Sequence, residues 1–369
     1  MRFTSGLSDA VSAPEAAAGA CQQVAAQLAG ASCDLACVFV SPIYRAEWPD
    51  LLADLHARLK PRVLIGCSGS GIIGSSQEVE WMPAVSIVGA HLPDVQLHPF
   101  TVSCDALERS TSGGFWIDTI GVTPAAQPCF LLFADPFTCD ATKLLGELNQ
   151  TYRGRPIIGG LVSGGQAAGE QLLFLQTEVL REGAVGVAMT GNIEMDTIVS
   201  QGCRPVGRPY IITKAEENVI WTLGARQAVA VLHEVLSGLA SSDRELAQQG
   251  AIFAGLAITE MRHRFSCGDF LIRNVIGLDP ETGAIAVAEE VAVGQTLQFH
   301  LRDADASREE LRRLLGQWGA LPRLGRPAGG LLFNCTGRGK ALYGTPHHDV
   351  KTIQMLSGKL PIGDRKSVV

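Results

Sequence analysis

Two uninterrupted apolar runs, LACVFV (Leu35 to Val40) and RVLIG (Arg62 to Gly66), bracket a stretch from Pro49 in which Leu51, Leu52, Leu55 and Leu59 share one helical face. A strand that is apolar on both faces has to be covered on both faces, and a helix between two such strands carries the chain back to start a parallel neighbour. The pattern predicts a βαβ unit and a sheet that begins parallel. Ahead of it, Ser12 and Glu15 match a capping box with Pro14 in the first turn, which predicts a helix running to about Leu28.

The second run leads into GSGIIG (Gly69 to Gly74), whose glycine spacing is that of a dinucleotide-binding turn. Such a turn works only where a helix follows and aims its amides at a pyrophosphate. Here Ser75, Ser76, Gln77 and Glu78 are followed by Trp81 and the strand-like PAVSIVGA (Pro83 to Ala90), so no helix fits and no cofactor is expected. Ala84 to Gly89 and Val95 to Val102, joined through Pro93 and Asp94, predict an antiparallel hairpin instead. CFLLFAD (Cys129 to Asp135) predicts a strand and Thr142 to Leu148 a short helix. RPIIGGLVSGG (Arg155 to Gly165) then echoes RVLIGCSGSG, an apolar strand running into glycine and serine. Strands at Leu172 to Gln176, Gly186 to Met189 and Ile193 to Val199 would end a first lobe near Arg208.

A second lobe opens with PYIITKAEENVIWTL (Pro209 to Leu223) and continues with a helix at Ala225 to Leu239. Strands follow at Ala251 to Ile258, Phe270 to Ile276, Ala284 to Ala288 and Gln298 to Leu301. A charged helix (Ser307 to Trp318), a buried strand GGLLFNC (Gly329 to Cys335) and a helix from His348 to Lys359 complete the pattern. The expected fold class is mixed α/β (α+β), with two lobes, residues 1–208 and 209–363. Each is a sheet of parallel and antiparallel strands with helices packed outside.

At 369 residues the chain exceeds what one core usually supports, which agrees with two lobes. The 41 glycines and 6% aromatic residues point to tight turns and backbone-lined clefts. A net charge of −7 without a basic run excludes nucleic acid as a partner, and no apolar stretch approaches the ~18 residues of a membrane span. AAGAC (Ala17 to Cys21) has a passing likeness to a lipoprotein cleavage site, but Asp9, Pro14 and Glu15 break the apolar region an export signal needs. Ten cysteines without a C-x-x-C pair read as reduced thiols of a cytoplasmic protein, with no metal site.

Small polar groups end several apolar strands: Gly66, Cys67, Ser68, Gly69, Ser70 and Gly71; Ser163 and Gly164; Arg273 and Asn274; Asn334, Cys335, Thr336 and Arg338. Clefts open at strand ends, and bare amides there bind carboxylates, so these loops are the candidate site for a small anionic ligand paired with Arg273 or Arg338. Cys335, with Arg338 three residues on, and Cys67 are the alternative nucleophiles of a cysteine-dependent hydrolase or transferase. Neither has a histidine placed by sequence as its base. GRGKA (Gly337 to Ala341) lacks the leading glycine and the magnesium-binding hydroxyl of a P-loop. His347, His348 and Asp349 read as a helix N-terminus with Asp349 complementing the dipole.

Taken in order, these motifs resemble the FIST family. LIGCSGSGIIG (Leu64 to Gly74) is similar to its first glycine-rich signature and GCRPVGRPYIITKAEENVI (Gly202 to Ile220) to the segment joining its two domains. FLIRNVIGLDPETGAIAVAEEVAVGQTLQFHLRDA (Phe270 to Ala304) and LLFNCTGRG (Leu331 to Gly339) are similar to its C-terminal domain. The resemblance implies an intracellular sensor that binds a small metabolite such as an amino acid and signals through a separate protein. Family members continue past LPIG (Leu360 to Gly363) into a glycine-phenylalanine stretch, whereas this chain continues DRKSVV (Asp364 to Val369). Residues 364–369 are therefore expected to be a non-native tail, leaving an unpaired sheet edge.

Overall fold

A computed structural model describes residues 1–110, 113–260, 265, 268–322 and 325–367. The chain forms two compact units, one made of Met1–Thr197 with Pro322–Val369, the other of Ile198–Leu321. The units divide at Thr197 and Ile198, and Pro322–Val369 packs within the first of them.

The first unit opens with β1 (Arg2–Ser8), α1 (Ala13–Leu28), β2 (Leu35–Val40), α2 (Trp48–Leu59), β3 (Val63–Ser68), β4 (Gly71–Gly74), β5 (Gln77–Glu80) and β6 (Val85–His91). The same order then recurs. It runs β7 (Val95–Val102), a short α3 (Cys104–Arg109), α4 (Gly113–Ile120), β8 (Cys129–Ala134), α5 (Ala141–Thr151), β9 (Ile157–Leu161), β10 (Leu173–Leu175), β11 (Glu178–Leu180) and β12 (Ala184–Gly191). The strand orders match as well: β1-β6-β2-β3 in one sheet, β7-β12-β8-β9 in the other. β2 pairs parallel with β3, and β8 with β9, which is the predicted βαβ unit occurring twice.

The repetition reaches single hydrogen bonds. Gly69 N–H donates to Val40 O at 3.1 Å and Val162 N–H to Ala134 O at 2.9 Å; Ser41 N–H donates to Ala84 O and Asp135 N–H to Gly183 O, both at 2.9 Å. Ser41-Pro42-Ile43 and Asp135-Pro136-Phe137 form the same side-chain turn, with the amide two residues on donating to Ser41 Oγ at 3.3 Å and to Asp135 Oδ1 at 3.0 Å. The echo between RVLIGCSGSG and RPIIGGLVSGG is one part of a whole repeated unit.

The two sheets pack face to face. Cys37, Phe39, Ile65 and Cys67 meet Leu131, Phe133, Val185 and Val187 in one core, while α1 and α2 cover the outer face of the first sheet and α4 and α5 that of the second. This four-layer arrangement explains why β2 and β8 are apolar at every position and β3 at every position before Ser68. Each fully buried Leu, Val or Phe contributes roughly 1.5–3 kcal/mol. The predicted hairpin of residues 84–102 does not form. β6 pairs with β1 and β2, and β7 with β12, because Pro93 and Asp94 join the two halves of the repeat and not two strands of one sheet. GSGIIG runs into β4 and not into a helix, as its context predicted.

The second unit contains β13 (Cys203–Glu216), β14 (Val219–Leu223), β15 (Arg226–Gln227), α6 (Ala228–Ser237), α7 (Ser241–Gln248), β16 (Ile252–Ala257), β17 (Phe270–Asp279), β18 (Ala284–Val287), β19 (Thr296–Arg302) and α8 (Ala304–Ala320). Its strands follow the order β13-β19-β16-β17-β18-β14, and β14 returns to β13, closing a ring around Leu256, Ile285, Phe299 and the buried face of α6. The closure is possible because β13 and β17 are long and each changes partner partway along at a register shift. Among the described residues every pairing in this unit is antiparallel. The expected buried strand GGLLFNC divides into β20 (Gly330–Leu331) and β21 (Asn334–Cys335) of the first unit.

After them come α9 (Lys340–Tyr343), α10 (His348–Ser357) and β22 (Ile362–Ser367). β22 lies between β4, antiparallel, and β20 and β21, parallel. Asp364 to Ser367 of DRKSVV are thus part of an interior strand.

Candidate functional site

The bends that close the two halves of the repeat meet. Ser68 Oγ donates to Ser163 O at 2.8 Å and accepts from Leu172 N–H at 3.1 Å, while Ser70 N–H donates to Ser163 Oγ at 3.0 Å. Phe39 and Phe133, equivalent positions of β2 and β8, touch edge to face nearby at 5.6 Å. Both serines are fully buried.

Glycine is required where backbones approach. A Cβ at Gly66 would strike Val38 O, and at Gly159, the equivalent position of β9, it would strike Leu132 O. Gly69 has Arg365 Cβ where its own side chain would stand, and Gly164, at φ +111°, lies against Pro42.

The third bend joins through β22. Ser163 Oγ donates to Lys366 O at 2.5 Å, Thr336 N–H to Ser367 O at 2.7 Å, and Asn334 N–H to Asp364 Oδ2 at 2.9 Å. The bends at Ser68 to Gly71, Ser163 and Asn334 to Arg338 therefore converge, but β22 passes through the space between them. Their amides are engaged inside the protein. Gly69 bonds Val40, Ser70 bonds Ser163, and Cys335 N–H bonds Asn334 Oδ1 at 3.0 Å.

Both candidate arginines already hold carboxylates. Arg338 Nε donates to Asp349 Oδ2 at 2.9 Å, with both side chains buried. Burial pushes the Asp349 carboxyl up, but the bonds and charge of Arg338, with smaller help from His348 and Tyr343, overcome it and hold it at about 2. Asn334 Nδ2 also donates to Asp349 Oδ2 at 2.9 Å. Arg273 and Asn274 lie on β17 of the second unit, where Arg273 Nε donates to Glu289 Oε2 at 2.7 Å and Asn274 O accepts from Ala288 N–H.

Sequence reasoning missed an acidic pair on β5. Lys366 Nζ lies 2.8 Å from Glu78 Oε2 and 2.6 Å from Glu80 Oε1, and donates to Arg338 O at 2.6 Å. Burial lowers the Lys366 ammonium's pKa, yet the two glutamates raise it further than that, so it stays charged. Glu78 Oε1 also accepts from Asp349 N–H at 3.0 Å and Val350 N–H at 3.2 Å, capping α10. The alternation of QEVE placed both glutamates on one side of a strand, but only the fold shows which cation they meet. His348 Nδ1 is 2.9 Å from Asp349 Oδ1 and its ring stacks on Tyr343 at 3.8 Å.

Arg365 and Asp364 are less well met. Arg365 is fully buried between the rings of Phe133 and Phe333, with its charge centre 5.7 and 5.9 Å from their centroids. Its Nε donates to Cys67 Sγ at 3.3 Å, its Nη1 bonds Ser367 Oγ, and its Nη2 has no partner among the described residues. Asp364 is fully buried, its Oδ1 has no partner among the described residues, and burial drives its pKa well above the ordinary value despite Arg365 and Lys366.

The cysteine alternative finds little support in this geometry. Cys67 is fully buried, and burial raises its thiol pKa against the opposing pull of Arg365, so the thiolate is suppressed. Cys335 is half-buried, and among the described residues no histidine is bonded to it. Among the described residues no group of three or more His, Cys, Asp or Glu could hold a metal, and no helix is long and apolar enough to cross a membrane.

Comparison with known proteins accounts for nearly the whole chain. The FIST N domain matches residues 34–226 and the FIST C domain residues 228–363. An uncharacterized protein of Mycobacterium tuberculosis is 38% identical over 363 residues, covering 98% of this chain and 92% of its own length. Another, of Mycobacterium bovis, is 36% identical over the same shares. The chain belongs to the FIST family and carries its N and C domains in tandem.

Proposed function

We propose that this protein is an intracellular sensor that binds a small anionic metabolite, such as an amino acid, and passes the signal to a separate partner. FIST domains are sensory domains that bind small ligands. The observation that carries the finer reading is the convergence of three glycine- and serine-bearing bends, at Ser68 to Gly71, Ser163 and Asn334 to Arg338, around one strand. Arg338, Arg365 and Lys366 stand at that junction beside the carboxylates of Asp349, Glu78, Glu80 and Asp364. A carboxylate ligand there would compete with Asp349 for Arg338 or meet the open Nη2 of Arg365.

Thermal-shift titration of the full chain with amino acids and small carboxylates tests the reading. A saturable rise in Tm with one class, lost in Arg338→Gln, is the expected result. Equal response of the variant, or no response to any carboxylate, would remove the junction as the site.

A further inference from the structure

The internal repeat makes one difference between its halves informative. On the first half, the outer edge of β3 is covered. β10 lies antiparallel on it with Leu173 opposite Cys67, Phe174 opposite Gly66 and Leu175 opposite Ile65. Ser68 N–H donates to Leu172 O at 3.0 Å and Gln176 N–H to Leu64 O at 2.7 Å. On the second half, β9 ends its sheet, with β8 as its strand neighbour among the described residues.

Which groups β9 leaves open follows from its pairing with β8. Phe130 N–H donates to Pro156 O and Val162 N–H to Ala134 O, both at 2.9 Å. Alternation along a parallel ladder then turns Ile158 and Gly160 toward β8 and the backbone groups of Ile157, Gly159 and Leu161 outward. These three are the equivalents of Leu64, Gly66 and Ser68, the positions through which β3 holds β10. Among the described residues their outward groups make one hydrogen bond, from Ser367 Oγ to Leu161 O at 3.0 Å.

Open edges are ordinarily blunted by lysine, proline or a bulge. β9 reads IIGGL, with none of these within it, and all five of its residues are half-buried where β3 is fully buried. We propose that the outer edge of β9 accepts an extended, uncharged, apolar strand, which docks antiparallel through Ile157, Gly159 and Leu161 as β10 docks on β3. Backbone bonds would supply the affinity and alternate apolar side chains the specificity. The proposal does not depend on the metabolite reading, because it concerns a strand edge and not the junction of the bends.

The test uses the full chain and a synthetic peptide carrying the β10 sequence, Gln171 to Gln176, flanked by lysines for solubility. Amide hydrogen exchange is followed with and without it. The expected result is a saturable slowing of about tenfold or more at Ile157 and Leu161 at one peptide per chain. Ile157→Pro removes an outward donor without touching the β8 ladder, so it loses the peptide, with some loss of Tm from the packing Ile157 makes against the core under α4 and α5. The proposal is overturned if Ile157 and Leu161 exchange as slowly as Leu64 and Ser68 before peptide is added, or if peptide leaves them unchanged. It is equally overturned if their protection grows with protein concentration alone, which would make the occupant a second copy. Should Ile157→Pro not fold, exchange in the unaltered chain decides by itself.

Discussion

The hydroxyl of Ser68 donates to the carbonyl of Ser163 across 2.8 Å of buried interior, latching the bend that ends β3 to the bend that follows β9. The same hydroxyl accepts from Leu172 N–H, so it also fixes the approach of β10. One small side chain thus ties the two halves of the repeat at the place where β22 crosses them.

Ser68→Ala leaves the Ser163 carbonyl and the Leu172 amide buried without this partner. The expected loss is about 1–3 kcal/mol. Urea unfolding should show a lower midpoint with an unchanged slope. An unchanged midpoint would mean that the latch contributes nothing.

The Arg338–Asp349 pair sets one limb of the acid stability. Asp349 is held down at about 2 from an ordinary 3.8, so its contribution is present above the ordinary value and is lost as pH falls toward 2. That shift corresponds to about 2 kcal/mol. Asp349→Asn should lower the unfolding free energy at pH 7 and show less acid dependence between pH 4 and pH 2 than the unaltered chain. Parallel curves in that window would show that the pair is not depressed.

β22 should respond in the opposite sense. Asp364 has its pKa raised by burial, so at neutral pH its ionisation costs stability, a cost that disappears below the ordinary carboxylate range. Asp364→Asn should therefore raise Tm at pH 7 and leave it unchanged near pH 3. Arg365→Leu removes a buried charge that forms no ion pair among the described residues and should also raise Tm, whereas Lys366→Met strands Glu78 and should lower it. Scanning calorimetry of the three variants decides, and a loss of stability in Arg365→Leu would count against this reading.

The βαβ unit and the echo at Arg155 were legible because a strand covered on both faces needs an unbroken apolar run, and such runs stand out in one dimension. The fate of Val85 to Val102 was not. Two consecutive strands joined by Pro93 and Asp94 pair with each other or part into different sheets according to strands β1 and β12, which are distant in sequence. The site was legible in the same uneven way. Glycine and serine at strand ends marked the bends that meet, but the partners that occupy them did not show. Asp349 for Arg338, Glu289 for Arg273 and β22 for the hollow all come from elsewhere in the chain.

The repeat makes its own prediction about Gly66 and Gly159. Each sits on the second strand of a parallel pair, directly against a carbonyl of the first, Val38 in one half and Leu132 in the other. An alanine methyl at either position would have to push two paired strands apart, and Gly159 at φ +148° adds backbone strain. Gly66→Ala and Gly159→Ala should both fall in the range of severe core substitutions, about 3 kcal/mol or more. Gly146, on α5 with open space around it, provides the contrast: Gly146→Ala should gain up to about 1 kcal/mol from helix propensity. Chemical denaturation of the three variants would separate close backbone approach from ordinary glycine flexibility. Tolerance of alanine at Gly66 with intolerance at Gly159 would show that the two halves do not share the same strand contact.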